Sequence, residues 1–191
     1  MGARAVFLVG FMAAGKTSVG RELARRLGWE FVDLDTRIES RECLSVAEMF
    51  EQRGEPAFRE AEFSTLRDLL ATLAQDSVVS LGGGAFAGSE NFELLKDWPS
   101  VFLDAPVEEL WRRASQDVRE RPLRKARQQF SELHQQRVPR YRQATLTVNT
   151  CARDIASICA EIEDALRLTS VTTSPIPDSY YTDSNKSGER R

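Results

Sequence analysis

Eight consecutive residues, Gly10-Phe11-Met12-Ala13-Ala14-Gly15-Lys16-Thr17, fit the spacing G-x-x-x-x-G-K-[ST]. With glycine at about 7 % of average usage, that pattern arises by chance in on the order of one in a hundred chains of this length. Its chemistry is specific. A phosphate chain is gripped by backbone N–H groups that converge on it, and two glycines let the chain between them curl inward. A helix opening at Lys16 adds the positive end of its dipole. The Lys16 ammonium is a point charge for the outer phosphate oxygens, and the Thr17 hydroxyl is a ligand for Mg²⁺. The loop positions assigned to phosphate binding are Gly10, Ala13, Ala14, Gly15, Lys16, Thr17 and Ser18.

Two carboxylates follow at Asp33-Leu34-Asp35. On an extended backbone, residues i and i+2 face the same way, so both are expected to point at one site. Phosphoryl transfer to an alcohol needs an acidic group near the metal and another that orients or deprotonates the hydroxyl. Asp33 is assigned to the metal side with Thr17, and Asp35 to the acceptor.

These side chains need a scaffold, and strand and helix patterns alternate along the chain. Ala5–Val9 reads as a strand buried on both faces; it runs into the glycine-rich turn and a charged helix, unlike the apolar core of a secretion signal. Lys16–Leu27 places Val19, Leu23, Ala24 and Leu27 on one helical face, with Gly28 as C-cap. Phe31–Leu34 reads as the second strand. Ser45–Phe50 reads as a short helix with a Ser45/Glu48 capping box, and a longer helix runs from Gly54 to about Ala74. Further strands are expected at Ser77–Leu81, Val101–Leu103 and Leu146–Val148. Pro106 opens a helix through Ala114. The closing helix, Ile155–Leu168, turns Ile155, Ile158, Cys159, Ile162 and Leu166 inward. Such alternation implies an α/β fold with a parallel sheet and right-handed crossovers. The folded unit is expected to span 1–168. Residues 169–191 are rich in Ser and Thr, hold Pro175 and Pro177, and lack the apolar area to order themselves.

Composition narrows the function classes. The chain has 191 residues, with 26 Lys and Arg against 29 Asp and Glu, for a net charge of −3. An acidic protein is a poor general binder of nucleic acid or anionic membranes. No apolar run approaches the roughly 20 residues of a membrane helix. Residues 112–142 hold ten Arg or Lys against three Asp or Glu, which points to a small anionic ligand. Nucleic-acid binding there would need interleaved aromatics, and the stretch offers only Trp111 at its edge, Phe130 and Tyr141. The three cysteines, Cys43, Cys151 and Cys159, suit a reducing, cytoplasmic setting as small core residues. The lone histidine, His134, reads as a surface residue, and the three tryptophans as packing residues. A monomer is expected, since no heptad pattern or second apolar face is present.

Beyond the Gly10–Thr17 loop and Asp33-Leu34-Asp35, the chain holds in order Phe58-Arg59-Glu60-Ala61-Glu62, Gly82-Gly83-Gly84, Arg121-Pro122-Leu123, and Arg137 ahead of Tyr141. With these motifs the chain resembles the shikimate kinases, nucleoside-monophosphate-kinase-like P-loop enzymes. The resemblance implies a three-layer fold with a five-stranded parallel sheet in the order 2-3-1-4-5 and a mobile lid at about 115–127. It implies transfer of phosphate from ATP, with Mg²⁺, to the 3-hydroxyl of shikimate. Lys16, Asp35 and Arg121 are then the catalytic groups. Arg59 and Arg137 hold the substrate carboxylate, Gly82, Gly83 and Gly84 line the substrate, and Asp35 binds its hydroxyls. Arg112 or Arg113 lies against the adenine, with Arg153 on the same side. Arg124 and the charged, Gln-rich stretch 125–136 depart from the family pattern around the lid. A kinase for another small hydroxylated acid, such as gluconate, or for a nucleoside monophosphate would share the loop but not the Arg59 and triple-glycine motifs. A non-catalytic nucleotide binder would not need Asp35 and Arg121.

Overall fold

The computed structural model describes residues 4–116 and 127–169. Five strands, β1 (Ala5–Val9), β2 (Glu30–Asp33), β3 (Ser77–Ser80), β4 (Ser100–Asp104) and β5 (Leu146–Asn149), form one sheet in the order β2-β3-β1-β4-β5. All four pairings are parallel, as expected. The central strands β1 and β3 are buried along their whole length, whereas the edge strands β2 and β5 bury only Val32 and Val148. That is the burial a sheet covered by helices on both faces imposes.

Among the described residues eight α-helices flank the sheet: α1 (Lys16–Leu27), α2 (Leu34–Glu42), α3 (Val46–Gln52), α4 (Gly54–Thr72), α5 (Ser89–Leu95), α6 (Val107–Gln116), α7 (Arg127–Tyr141) and α8 (Ile155–Leu166). Helix α1 buries Val19, Leu23, Ala24 and Leu27 and ends on Gly28 at φ 68°. It packs against α8, where Arg26 bridges to Glu163 at 2.7 Å. The Ser45/Glu48 capping box is present at the start of α3, with both reciprocal bonds made.

Several expectations change. β2 stops at Asp33, and α2 begins at the next residue, with Leu34 and Ile38 buried one turn apart. Asp33 and Asp35 therefore do not share an extended segment; they straddle a strand-to-helix junction. The Asp33 carboxylate makes no cap hydrogen bond to α2, because it is turned to Thr17 instead. Helix α5 and a 3₁₀ turn at Ala85–Ala87 also lie between β3 and β4, where the sequence reading placed no element.

In α8 only Ile158, Cys159 and Ile162 are buried, while Ile155 faces outward at 41 % exposure. Of the thiols only Cys159 is a core residue: Cys151 is half-buried and Cys43 exposed. His134 is only partly at the surface. It is half-buried on α7 with its ring edge-on to Phe11, 5.2 Å between centroids, and burial lowers its pKa against the pull of Asp104 and Glu108. The tryptophans do pack: Trp98 on Phe7, Trp111 on Phe130, and Trp29 beneath the Arg4 guanidinium.

Candidate active site

The C-terminal ends of the strands carry the site, as in open α/β sheets generally. β1 leaves the sheet at Gly10, with φ 142°; a Cβ there would stand 2.8 Å from the Leu103 carbonyl oxygen of β4. Only glycine tolerates both the angle and the approach. Ala13 sits at φ 63°, a left-handed conformation that costs an L-residue roughly 1–2 kcal/mol. Strain of this kind concentrates at functional loops. Gly15, at φ 94°, leads into α1. No side chain caps the start of α1, and its first turn holds no acidic residue. The positive end of the helix thus faces the loop with no acidic residue of its own first turn to offset it.

The Lys16 ammonium curls over this loop and donates to the carbonyls of Gly10 at 2.9 Å and Phe11 at 3.0 Å. The Thr17 hydroxyl donates to Asp33 Oδ2 at 3.0 Å, so the metal-side pair expected from sequence is assembled. Among the described residues no three His, Cys, Asp or Glu side chains cluster as a metal site. A hard cation at Thr17 and Asp33 would therefore complete its oxygen shell from a bound ligand or water.

Beyond β3 the three glycines form the second half of the site. A Cβ on Gly82 would stand 2.6 Å from Asp35 Oδ1 and 3.2 Å from Glu62 Oε1. One on Gly83 would lie 3.6 Å from Arg137 Nη1, 3.6 Å from the Met12 nitrogen and 3.7 Å from the Gly10 oxygen. One on Gly84 would fall 2.5–2.8 Å from the guanidinium of Arg59. So Asp35 from α2, Arg59 from α4 and Arg137 from α7 converge on one bare backbone segment. The phosphate loop is its immediate neighbour, since Arg137 also lies 5.9 Å from the Phe11 ring. Two guanidinium groups beside exposed backbone suit a carboxylate, which each can grip through paired hydrogen bonds.

Three residues to which the sequence reading gave no role complete this cluster. Glu62, only 1 % exposed, accepts from Arg59 Nη1 at 2.9 Å and from Asn91 Nδ2 of α5 at 3.3 Å. Its other oxygen, Oε1, is buried without a hydrogen-bond partner. Burial raises the Glu62 pKa; Arg59 opposes that and the nearby Asp35 charge adds to it. Tyr141 is fully buried and its hydroxyl donates to the Gly83 carbonyl. From sequence Glu62 and Tyr141 enter only as members of the family motifs, with no role of their own. Asn91 lies in no motif at all.

The remaining arginines are not brought to the glycines. Arg113 reaches the segment after β5, donating to the Thr150 carbonyl at 3.0 Å and to Glu109 at 2.8 Å. Arg153 lies in that same segment, bonded to Asn149 O, Ser157 O and Glu161. Arg112 points to solvent and pairs with Glu109 at 2.7 Å and Gln116 at 3.2 Å. Exposed Ile155, Arg21 and Ser18 line an open hollow beside α1. Arg121, with Pro122, Leu123 and Arg124, falls outside the described residues.

Comparisons with known proteins identify the family. The family model described as shikimate kinase matches residues 12–167. A shikimate kinase of Chlorobium chlorochromatii is 42 % identical over 170 residues, which cover 82 % of this chain and 87 % of that protein. One of Persephonella marina is 36 % identical over 165 residues, covering 86 % of this chain and 99 % of that one. Among solved structures, the shikimate kinase from Acinetobacter baumannii in complex with shikimate superposes with a TM-score of 0.80 at 35 % identity. It covers 86 % of this chain and 93 % of that chain. With the glycine loop, the carboxylate at the end of β2 and the arginines around the triple glycine in the same chain, the conclusion is direct: the protein belongs to the shikimate kinase family.

Proposed function

We propose that this site transfers the γ-phosphoryl group of ATP to the 3-hydroxyl of shikimate, giving shikimate 3-phosphate and ADP. The observation that carries the reading is the convergence of Asp35, Arg59 and Arg137 on Gly82–Gly84, directly beside the loop that ends in Lys16 and Thr17. A substrate seated there has its carboxylate between two arginines and its hydroxyl at Asp35, which orients and deprotonates it. The nucleotide phosphates lie in the backbone curl from Gly10 to Gly15, which includes Ala13 and Ala14 and is extended by Ser18. Lys16 neutralises charge as it develops on the transferred group.

Thr17 and Asp33 are the residues that would hold Mg²⁺; their hydroxyl and carboxylate are oxygen donors of the type that ion takes. When bound, the ion adds positive charge at the phosphate oxygens. The adenine is taken between α6 and the segment after β5, which favours Arg113 over Arg112, with Arg153 and Ile155 at its edge. The support is that Arg113 and Arg153 both reach that segment, and Ile155 is the exposed large apolar side chain near Ser18. Arg121 is assigned to the transferring phosphate, from a lid at about 115–127. The catalytic unit is 1–168, followed by a 169–191 tail. The setting is cytoplasmic and the protein a monomer, in keeping with three free thiols. Among the described residues no helix is long and apolar enough to cross a membrane.

The test is ADP release from Mg·ATP by the purified chain, with shikimate, gluconate and a panel of nucleoside monophosphates offered separately. Release is expected with shikimate alone. Release with another acceptor would reassign Arg59, Arg137 and the glycines.

A sharper check on the carboxylate grip is Gly84→Ala. Gly84 has φ −99° and ψ −20°, which alanine adopts without strain. The added Cβ instead meets the guanidinium of Arg59, the movable end of a long side chain. The fold is expected to survive, with Arg59 pushed off its post. Losing one charged hydrogen-bonding group is worth about 1.5–3 kcal/mol, so the shikimate KM is expected to rise roughly 10–100-fold. An unchanged KM would remove Arg59 from the substrate.

A further inference from the structure

The triple glycine is made of the residues with the least intrinsic order in the chain, yet its carbonyls are all held. Gly82 O accepts from Ala85 N at 3.1 Å, and Gly84 O accepts from Ala87 N at 3.1 Å and Gly88 N at 3.2 Å. These are local turns that the 3₁₀ segment makes for itself. The Gly83 carbonyl is held by a side chain from a distant element, the hydroxyl of Tyr141 on α7. The Tyr141 ring is buried and packs on Phe102 of β4, 5.2 Å between centroids. Its hydroxyl is therefore anchored to the sheet and not to the loop it holds.

A trans peptide is planar, with its C=O and N–H pointing opposite ways. Fixing the Gly83 oxygen on Tyr141 turns the Gly84 N–H to the other side of the chain. Without that bond, two flanking glycines leave the 83–84 peptide free to flip, because neither has a Cβ to oppose rotation. We propose that Tyr141 is a positioning residue for the substrate carboxylate: its hydroxyl sets the orientation of the Gly83–Gly84 peptide between Arg137 and Arg59. The inference rests on the carboxylate-binding reading of this segment. Burial pushes the Tyr141 hydroxyl up to about 12, with Arg137 pulling the other way. The donor proton thus stays in place across neutral and mildly alkaline pH.

The experiment is Tyr141→Phe in the full chain, which keeps the ring on Phe102 and removes only the hydroxyl. The shikimate KM is expected to rise about three- to tenfold, the size of one net hydrogen bond. The ATP KM and kcat should stay within about twofold, and the KM ratio should be flat with pH. In the companion variant Phe102→Leu, which keeps the hydroxyl but loosens the ring that anchors it, Tm should fall and the shikimate KM should rise by less than in Tyr141→Phe. An unchanged shikimate KM in Tyr141→Phe would overturn the proposal. So would a parallel loss of Tm, kcat and both KM values, or failure to fold, either of which would make the bond purely structural. A wild-type chain that ignores shikimate would overturn the substrate reading instead, and is seen before any variant is made.

Discussion

Asp35→Asn is expected to lower kcat roughly 10²–10⁴-fold, the range that a positioned general base contributes, with Tm close to that of the parent. The amide has the shape of the carboxylate and still hydrogen-bonds a hydroxyl, so the shikimate KM should move by less than about tenfold. What it loses is the capacity to take the proton. The structure supplies the reason to expect a catalytic loss without a structural one. Asp35 lies in the first turn of α2, only half-buried, with Oδ1 at the surface of Gly82. Neutralising an acidic residue at a helix start costs about 0.3–1 kcal/mol, a small part of a domain's stability. Steady-state ADP release decides the matter, and a turnover within about tenfold of the parent would remove Asp35 from the base role.

Arg59→Ala is expected to do two things at once. The shikimate KM should rise about 100-fold, since one arm of the carboxylate grip is gone. Stability should fall by about 2–3 kcal/mol. That is less than the roughly 3–5 kcal/mol of a fully buried pair, because the Arg59 side chain is 31 % exposed. The second effect comes from the partner left behind. Glu62 is 1 % exposed, and without Arg59 its charge keeps the Asn91 amide as the one direct partner shown for it.

The pH dependence follows from the sign of the Glu62 shift. Burial already raises the Glu62 pKa in the parent, with Arg59 opposing. A carboxyl with a raised folded-state pKa stabilises the fold below its unfolded pKa, and loses that contribution as pH rises through the folded value. Removing Arg59 raises the folded value further. The Tm deficit of Arg59→Ala should therefore be largest at neutral pH and shrink on acidification. Arg59→Lys, which restores a charge without the planar fork, should recover most of the stability but little of the shikimate affinity. A deficit that does not vary with pH would mean that Glu62 is not the source of the cost.

Much of this protein was legible in its residues because the relevant signals are local. The loop from Gly10 to Thr17 needs only its own glycines, a preceding apolar strand and a following helix. All three are contiguous, and the fold has them where the spacing predicts. The order of β2-β3-β1-β4-β5 came with the family resemblance, and the alternation of strand and helix set it as parallel. The misreadings have a common physical origin. Phe31–Leu34 was extended one residue too far because Leu34 is apolar in either element; only the packing of Leu34 and Ile38 together decides for a helix. Ile155 obeys the helical spacing of Ile158 and Ile162 yet stands exposed, because amphipathic spacing gives a face its period but not its width.

Tertiary structure alone decided what surrounds the three glycines. Arg59 and Glu62 are a helical i,i+3 pair on any reading, and such pairs are usually solvated. Burial turns Glu62 into a poised carboxyl, and that burial is made by Gly82 and Asn91, some 20 to 30 residues away in sequence. Tyr141 reaches Gly83 across 58 residues. Residue types and spacing determined the chemistry available to this chain, because charge, donor geometry and backbone freedom belong to the residues themselves. Which groups share a proton, a carbonyl or a buried charge was decided only when four helices and the ends of β1 and β3 closed on the same point, because dielectric and distance belong to the fold.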